Sequence, residues 1–277
     1  VTKAVPPAVA PQREDLFRSA SKATQAGWIR SCAQVGVVLA VVLVCAYYVG
    51  LLDAARMSAG VGDIVGLLGE AWPPDFTNLH SWWGPLRDSL AMSVAATALA
   101  VLLAIPVALL GARNTSPHPA VYWVARMVLN TLRSVPELIM AIVFVAAVGF
   151  GALPGALALG IHSAGMVGKF FAESIEHADD EPIEAARAAG ATSAQVILHG
   201  VLPQVLPQLA DVTIYRWEYN FRASVVVGVV GAGGIGFYIQ TYVRSFQYDK
   251  AASVTIAVVV MVIAIEAINV ALRRRFT

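Results

Sequence analysis

Hydrophobic positions along this chain come in long runs with few charges, separated by short polar stretches. Residues 31–52, SCAQVGVVLAVVLVCAYYVGLL, carry no charge. As a helix this run is roughly 33 Å long, enough to cross the hydrocarbon core of a bilayer. A second charge-free run covers 89–112. Residues 119–149 are also long enough, but Arg126, Asn130 and Arg133 recur at helical spacing on one face of the first half. Pro136 kinks or restarts that segment, so one tilted helix is expected there. A Gly- and Ala-rich fourth run covers 155–172, a fifth with internal charges covers 204–230, and a sixth covers 251–272. A Gly-rich turn and an aromatic segment fill 231–250. The pattern predicts an all-α membrane protein with six transmembrane helices.

Composition agrees with the pattern. The chain is 58% hydrophobic and 13% charged, with mean hydropathy +0.68, whereas soluble domains carry about 25% charged residues. Charge placement then orients the spans. Lys3, Arg13, Arg18, Lys22 and Arg30 precede the first run, and Arg273, Arg274 and Arg275 follow the last. Basic residues favour the cytoplasm, so both termini are expected there, which demands an even number of spans. The first run is too long for a cleaved signal sequence, follows a polar arm of 30 residues and precedes no small-residue cleavage site. Segment 53–88 is net acidic and falls outside, where Trp72, Trp82 and Trp83 suit the membrane–water interface. Segment 173–203 falls inside. There Glu173, Glu176, Asp179, Asp180, Glu181 and Glu184 oppose only Arg187, which points to a protein partner. Cys32 and Cys45 read as buried thiols, and the five histidines show no metal-ligand spacing.

Gly231-x-Gly233-x-x-Gly236 has the spacing of a dinucleotide-binding fingerprint. That fingerprint needs a preceding strand and an acid about 20 residues onward. Asp249 comes too early, and Glu266 comes too late and lies in an apolar run. No nucleotide site is expected.

The inner segment carries more information. In EPIEAARAAGATSAQVILHGVLP, residues 181–203, two short helices are legible. The first starts near Asp180 or Glu181, with Pro182 in its opening turn, and ends at Gly190. The second is capped by Thr192 with Gln195 three residues on, and Pro203 stops it. Glu184-Ala185-Ala186, Gly190 and Leu202-Pro203 resemble the EAA motif of ABC importer permeases. The family's isoleucine before that Leu-Pro is replaced here by Gly200. The resemblance implies a type I importer transmembrane domain over about 85–272, a five-helix core with one added N-terminal helix. NTLRSVPELI at 130–139 is also similar to the segment after the family's first core helix. The implied domains are a cytoplasmic arm 1–30, a first span and outer segment 31–84, and the transmembrane domain 85–277 with the coupling loop 173–203.

In such families the EAA loop docks on a separate ATPase. No Walker A motif is present, so ATP and Mg are expected on that partner and this chain binds no cofactor. The resemblance further implies a homodimer of permeases, two ATPase subunits, surrounding lipid, no nucleic acid, and a periplasmic or lipid-anchored binding protein. The binding protein is expected to dock near 53–88 and 231–250. Gly231, Gly233, Gly234 and Gly236 are expected to form a tight outer turn. The location implied is the bacterial inner membrane.

DVTIYRWEYNFRAS, residues 211–224, places Asp211, Arg216, Glu218 and Arg222 in or near a spanning helix. Such charges cost about 3 kcal/mol each or more, so they face a cavity or one another. Glu218 and Arg222 can pair at i, i+4, while Arg216 has no acid at that spacing. One reading is purely structural. The other makes Arg216, Glu218, Asn220 and Arg222 a polar route for an anion. YRWEYNFRAS before GAGGIG, and SAGMVGKFFAESIE at 163–176, resemble phosphonate importer permeases, which implies phosphonate, phosphite or phosphate as cargo. An ion-gradient-driven secondary transporter is the alternative, but no internal repeat is evident and the EAA loop would be unexplained. No Ser–His or His–Glu metal pattern supports an intramembrane enzyme.

Overall fold

The computed structural model describes residues 10–274, so Lys3 and Arg275 of the expected basic ends lie outside the described residues. Every regular element among the described residues is helical. The chain divides into two compact units, residues 1–68 and 69–277.

The first unit contains α1 (Ala10–Val49) and all but the last two residues of α2 (Ala54–Glu70). Within α1, Arg30–Val49 is long and apolar enough to cross a membrane. Gly50, at φ +82°, ends it. Asp53 then opens α2: its carboxylate accepts from the Ala55 and Arg56 N–H groups, each at 3.1 Å. This satisfies two of the amides that an N-terminus leaves free. The hydrophobic pattern predicts no helix over 53–88, and α2 departs from it. Gly60, Gly62, Gly66 and Gly69 lower its intrinsic propensity and blur its apolar stripe. Cys32 and Cys45 are exposed, which corrects their expected burial. The described side chains of α1 present valine and leucine on all sides, a surface suited to lipid, and the thiols share it.

The second unit contains α3 (Trp83–Leu110), α4 (Pro119–Ser134), α5 (Glu137–Val148), α6 (Ala152–Glu176), α7 (Asp180–Ala188), α8 (Ser193–Val196), α9 (Leu202–Val227), α10 (Ile235–Arg244) and α11 (Tyr248–Arg273). α6 is the hub, packed against α3, α4, α5 and α9. Its buried face is mostly small: Gly155, Ala158, Gly160, Ser163, Ala164, Gly165, Gly168 and Ala172. A methyl group on Gly165 would lie 2.7 Å from the Arg133 nitrogen and 2.9 Å from the Leu129 carbonyl oxygen. α4 and α6 therefore meet backbone to backbone, which only glycine permits.

Three helical stretches are long and apolar enough to span alone: Arg30–Val49, Leu79–Leu110 and Tyr248–Arg273. Two bent pairs raise the number to five, α4 with α5 at 83° and Ser193–Ala232 with α10 at 59°. α6 has 25 residues but falls outside this set, because its glycines and polar residues lower its hydropathy. Length and hydropathy alone thus reach five spans, not the expected six.

Two further expectations are corrected. Residues 119–149 form an 83° elbow rather than one tilted helix. Pro136 lacks an N–H and holds Val135 extended, at φ −82° and ψ 120°. Trp82 is fully buried with Leu86, Ile235 and Val254, so its ring faces the protein and not lipid or water. The short 3₁₀ turn before α3 carries it inward, and its indole N–H points to the Tyr242 hydroxyl at 3.5 Å. Trp72 and Trp83 are exposed.

Candidate functional site

The inner hairpin forms as its caps dictate. Asp179 precedes α7, whose first turn holds Asp180 and Glu181 near the positive end of the helix dipole. Gly190, at φ +81°, closes it: the Ala191 N–H reaches the Ala186 carbonyl at 3.1 Å, the six-to-one bond of a Schellman turn. Thr192 and Gln195 form the expected capping box. Pro203 does not stop the second helix. After α8 the chain makes one π-helical turn, residues 197–201, and Pro203 sits in the first turn of α9. Its missing N–H is harmless there.

Ile183 fastens the hairpin by burying itself in a cluster with Val196, Val201 and Val205. Gly200 lies directly on α7. A methyl there would be 3.4 Å from Ile183 Cα and 3.5 Å from the Pro182 carbonyl oxygen, so little more than a methyl fits. This gives the departure from the family pattern at position 200 a packing reason. Gln204, which no sequence signal marks, ties the hairpin at its base. Its Oε1 accepts from the Asp179 N–H at 2.9 Å, and its Nε2 donates to the Gly200 carbonyl at 2.6 Å. Glu184, Ala185 and Pro203 are exposed, while Ala186 and Leu202 are half-buried. The acidic excess is smaller than expected. Glu176 pairs with Arg126 at 2.8 Å, and Glu173 lies 3.5 Å from Lys169. Beside them Arg113 donates from Nε to the Tyr122 hydroxyl at 3.3 Å, which raises its pKa further.

The charged helix sorts its groups onto two faces. Glu218 and Arg222 pair as their spacing predicts, and Glu218 also accepts from Asn269 of α11 at 3.1 Å. Arg216 and Asn220 face α6 and α3 instead. Arg216 Nε donates to the Ser163 hydroxyl at 2.8 Å, and that hydroxyl donates to Asn220 Oδ1 at 2.7 Å. Asn220 Nδ2 then donates to Thr97 at 2.9 Å. The four expected pathway residues therefore do not form one cluster. Asp211 pairs with Arg273 at 3.1 Å.

A second polar group at the elbow joins Arg216 to residues outside the sequence-derived set. The Arg216 guanidinium lies 4.0 Å over the Tyr219 ring. The Tyr219 hydroxyl is 3.2 Å from both oxygens of Glu137. His162 Nε2 is 3.7 Å from Glu137, and its Nδ1 donates to the Val135 carbonyl, which the proline elbow leaves free, at 3.0 Å. Glu137 is the one acid in an otherwise apolar run, so the rule that intramembrane charges are costly marks it in the sequence. Its partners are not legible there, because two other helices, α6 and α9, supply them.

The glycine turn bends the chain where α9 ends. Gly231, Gly233 and Gly234 have φ of +97°, +73° and +69°. A side chain on Gly236 would run into the Val225 carbonyl. Ser89 caps the opening of α10 by accepting from the Ile235 N–H at 3.0 Å. A helix precedes this turn where a dinucleotide fingerprint needs a strand.

Residues 100–277 match the family described as binding-protein-dependent transport system inner membrane component. The chain belongs to this family. It is thus a permease subunit of an ATP-driven importer whose ATPase is a separate chain, not an enzyme in itself and not an ion-gradient-driven carrier. The permease is 58% identical to the phosphite transport system permease protein PtxC of Stutzerimonas stutzeri, over 96% of both chains. It is 40% identical to the phosphate-import permease protein PhnE of Mycolicibacterium smegmatis over 84% of its own length, spanning 43% of that protein. Among solved structures, its fold is similar to the inward-facing MetNI methionine ABC transporter, with TM-score 0.63, 22% identity, and coverage of 71% of this chain and 96% of that one. A bacterial importer of the acidic polysaccharide alginate gives TM-score 0.60 at 16% identity, covering 87% and 96%. These neighbours establish the type I importer fold.

Proposed function

We propose that this permease imports phosphite or a related phosphorus oxyanion, phosphonate or phosphate. The observation that carries this reading is the 58% identity to a phosphite transport permease over nearly the full length of both chains. The transporter is a homodimer of this chain with two ATPase subunits, which hold ATP and Mg, and a periplasmic or lipid-anchored binding protein. It lies in the bacterial inner membrane among lipid, with both termini cytoplasmic and six spans, α6 being the sixth.

The domains follow: an arm over 1–30, the first span and outer segment over 31–84, and the transmembrane domain over 85–277. Glu184, Ala185, Ala186, Gly190, Leu202 and Pro203 form the surface that docks on the ATPase. The exposure of Glu184 and Ala185 on a firmly tied hairpin supports that role. Arg216 and Asn220 on one face of α9, and Glu218 and Arg222 on the other, serve the route, and the glycines at 231, 233, 234 and 236 shape its outer turn, near which the binding protein docks. The test is ATP-dependent uptake of labelled phosphite, phosphate and methylphosphonate by vesicles holding permease, ATPase and binding protein. Uptake of at least one supports the reading, and uptake of none overturns it.

A further inference from the structure

Arg216 is 95% buried, since only 5% of its surface is exposed. Its Nε is bonded to Ser163, but its Nη2 is buried without a hydrogen-bond partner. A guanidinium in this position is costly unless an anion takes its remaining donors. No carboxylate pairs with it directly. Glu137 is one side chain away: Arg216 lies on the Tyr219 ring, and the Tyr219 hydroxyl bonds to Glu137. An unpaired donor and a carboxylate thus flank the same tyrosine side chain.

That pairing selects among anions. Arg216 and Glu137 together are neutral. A fully deprotonated dianion would bring two charges into a low-dielectric layer and meet the Glu137 carboxylate as a repulsive neighbour. Phosphite or a phosphonate that keeps one O–H, or phosphate that keeps two, brings a single charge. Its P–O⁻ oxygen accepts from Arg216 Nη2, and its O–H donates to Glu137. Phosphate groups lose their second proton near pH 6, so this form is available near neutrality. Sulfate has the same shape and no O–H to give.

We propose that Arg216, Tyr219 and Glu137 form an oxyanion site inside the permease that admits hydrogen-bearing phosphorus oxyanions and rejects sulfate. This rests on the substrate reading above and adds a second point of selection to the binding protein.

The test is ³¹P NMR line broadening of orthophosphate and phosphite by the purified permease in nanodiscs, with sulfate as competitor. The parent protein should broaden both lines, and sulfate should not reverse this. In Glu137→Gln the amide can donate to sulfate, so sulfate should compete at concentrations at least about 10-fold lower than in the parent. Arg216→Gln should broaden neither line beyond empty nanodiscs while keeping the parent melting temperature to within a few degrees. Should Glu137→Gln not fold, Tyr219→Phe keeps the ring under Arg216 and should cut phosphite broadening at least about threefold. Uptake of phosphite by the complete transporter is measured alongside. Absent uptake with absent broadening overturns the substrate reading and this site with it. Uptake without broadening, or a sulfate response that Glu137→Gln leaves unchanged, overturns the site alone. An unaltered Tyr219→Phe does the same.

Discussion

Gln204 and Asp179 bond to each other twice, the Asp179 N–H to Gln204 Oε1 at 2.9 Å and Gln204 Nε2 to the Asp179 carbonyl at 3.3 Å. They stand 25 residues apart in the chain, at the two feet of the hairpin. One amide side chain thereby makes α7 move with α9. Gln204→Ala should loosen that link, since each lost bond costs about 0.5–1 kcal/mol. Uptake per ATP hydrolysed should fall severalfold in proteoliposomes while ATP hydrolysis continues. An unchanged ratio would show that the tie is dispensable.

The hairpin's outer face is predicted to carry coupling itself. Glu184→Lys reverses an exposed charge, and Gly190→Pro forbids the positive φ of +81° found there. Both variants should insert into the membrane and lose most uptake. Normal uptake in both, at normal membrane abundance, would sink the assignment.

At Gly236 the limit is steric. A methyl meets the Val225 carbonyl, a backbone atom that cannot rotate away. Gly236→Ala should destabilise the second unit by about 2–4 kcal/mol, in the range of severe overpacking. Thermal melting of the purified permease should show a clear drop, and a melting temperature within a degree of the parent would refute the tight packing described.

Topology gives a separate test. Reporter fusions at residues 10 and 277 should both give cytoplasmic signals, because the basic residues cluster at both ends. A periplasmic signal from either end removes the six-span model with both termini inside.

Local chemistry was legible where one short stretch determines the outcome. Thr192 with Gln195, and Gly190 after an alanine-rich turn, place the hairpin caps without any tertiary information. Pro203 shows the limit of that reasoning. A proline is equally compatible with the end of one helix and the first turn of the next, and a single π-helical turn decides between them. Trp82 reads as interfacial by residue type but is buried by a 3₁₀ turn. The group around Glu137 depends on α5, α6 and α9 meeting at the elbow, so its members lie up to 82 residues apart. Glu218 with Arg222 was legible because both ends of the pair lie on one helix face.

The small-residue face of α6 has a consequence for how the protein is made. A segment poor in leucine gains little by leaving the translocon for lipid on its own. What holds α6 is the company it keeps: Gly165 against the α4 backbone, and Ala164, Val167 and Phe171 in one cluster with Ala100 and Ala104 of α3. α3, α4 and α5 are synthesised before it and α9 after it. α6 therefore needs its earlier neighbours to wait for it at the exit site, and a substitution that delays α3 or α4 should show first as degradation of the nascent chain.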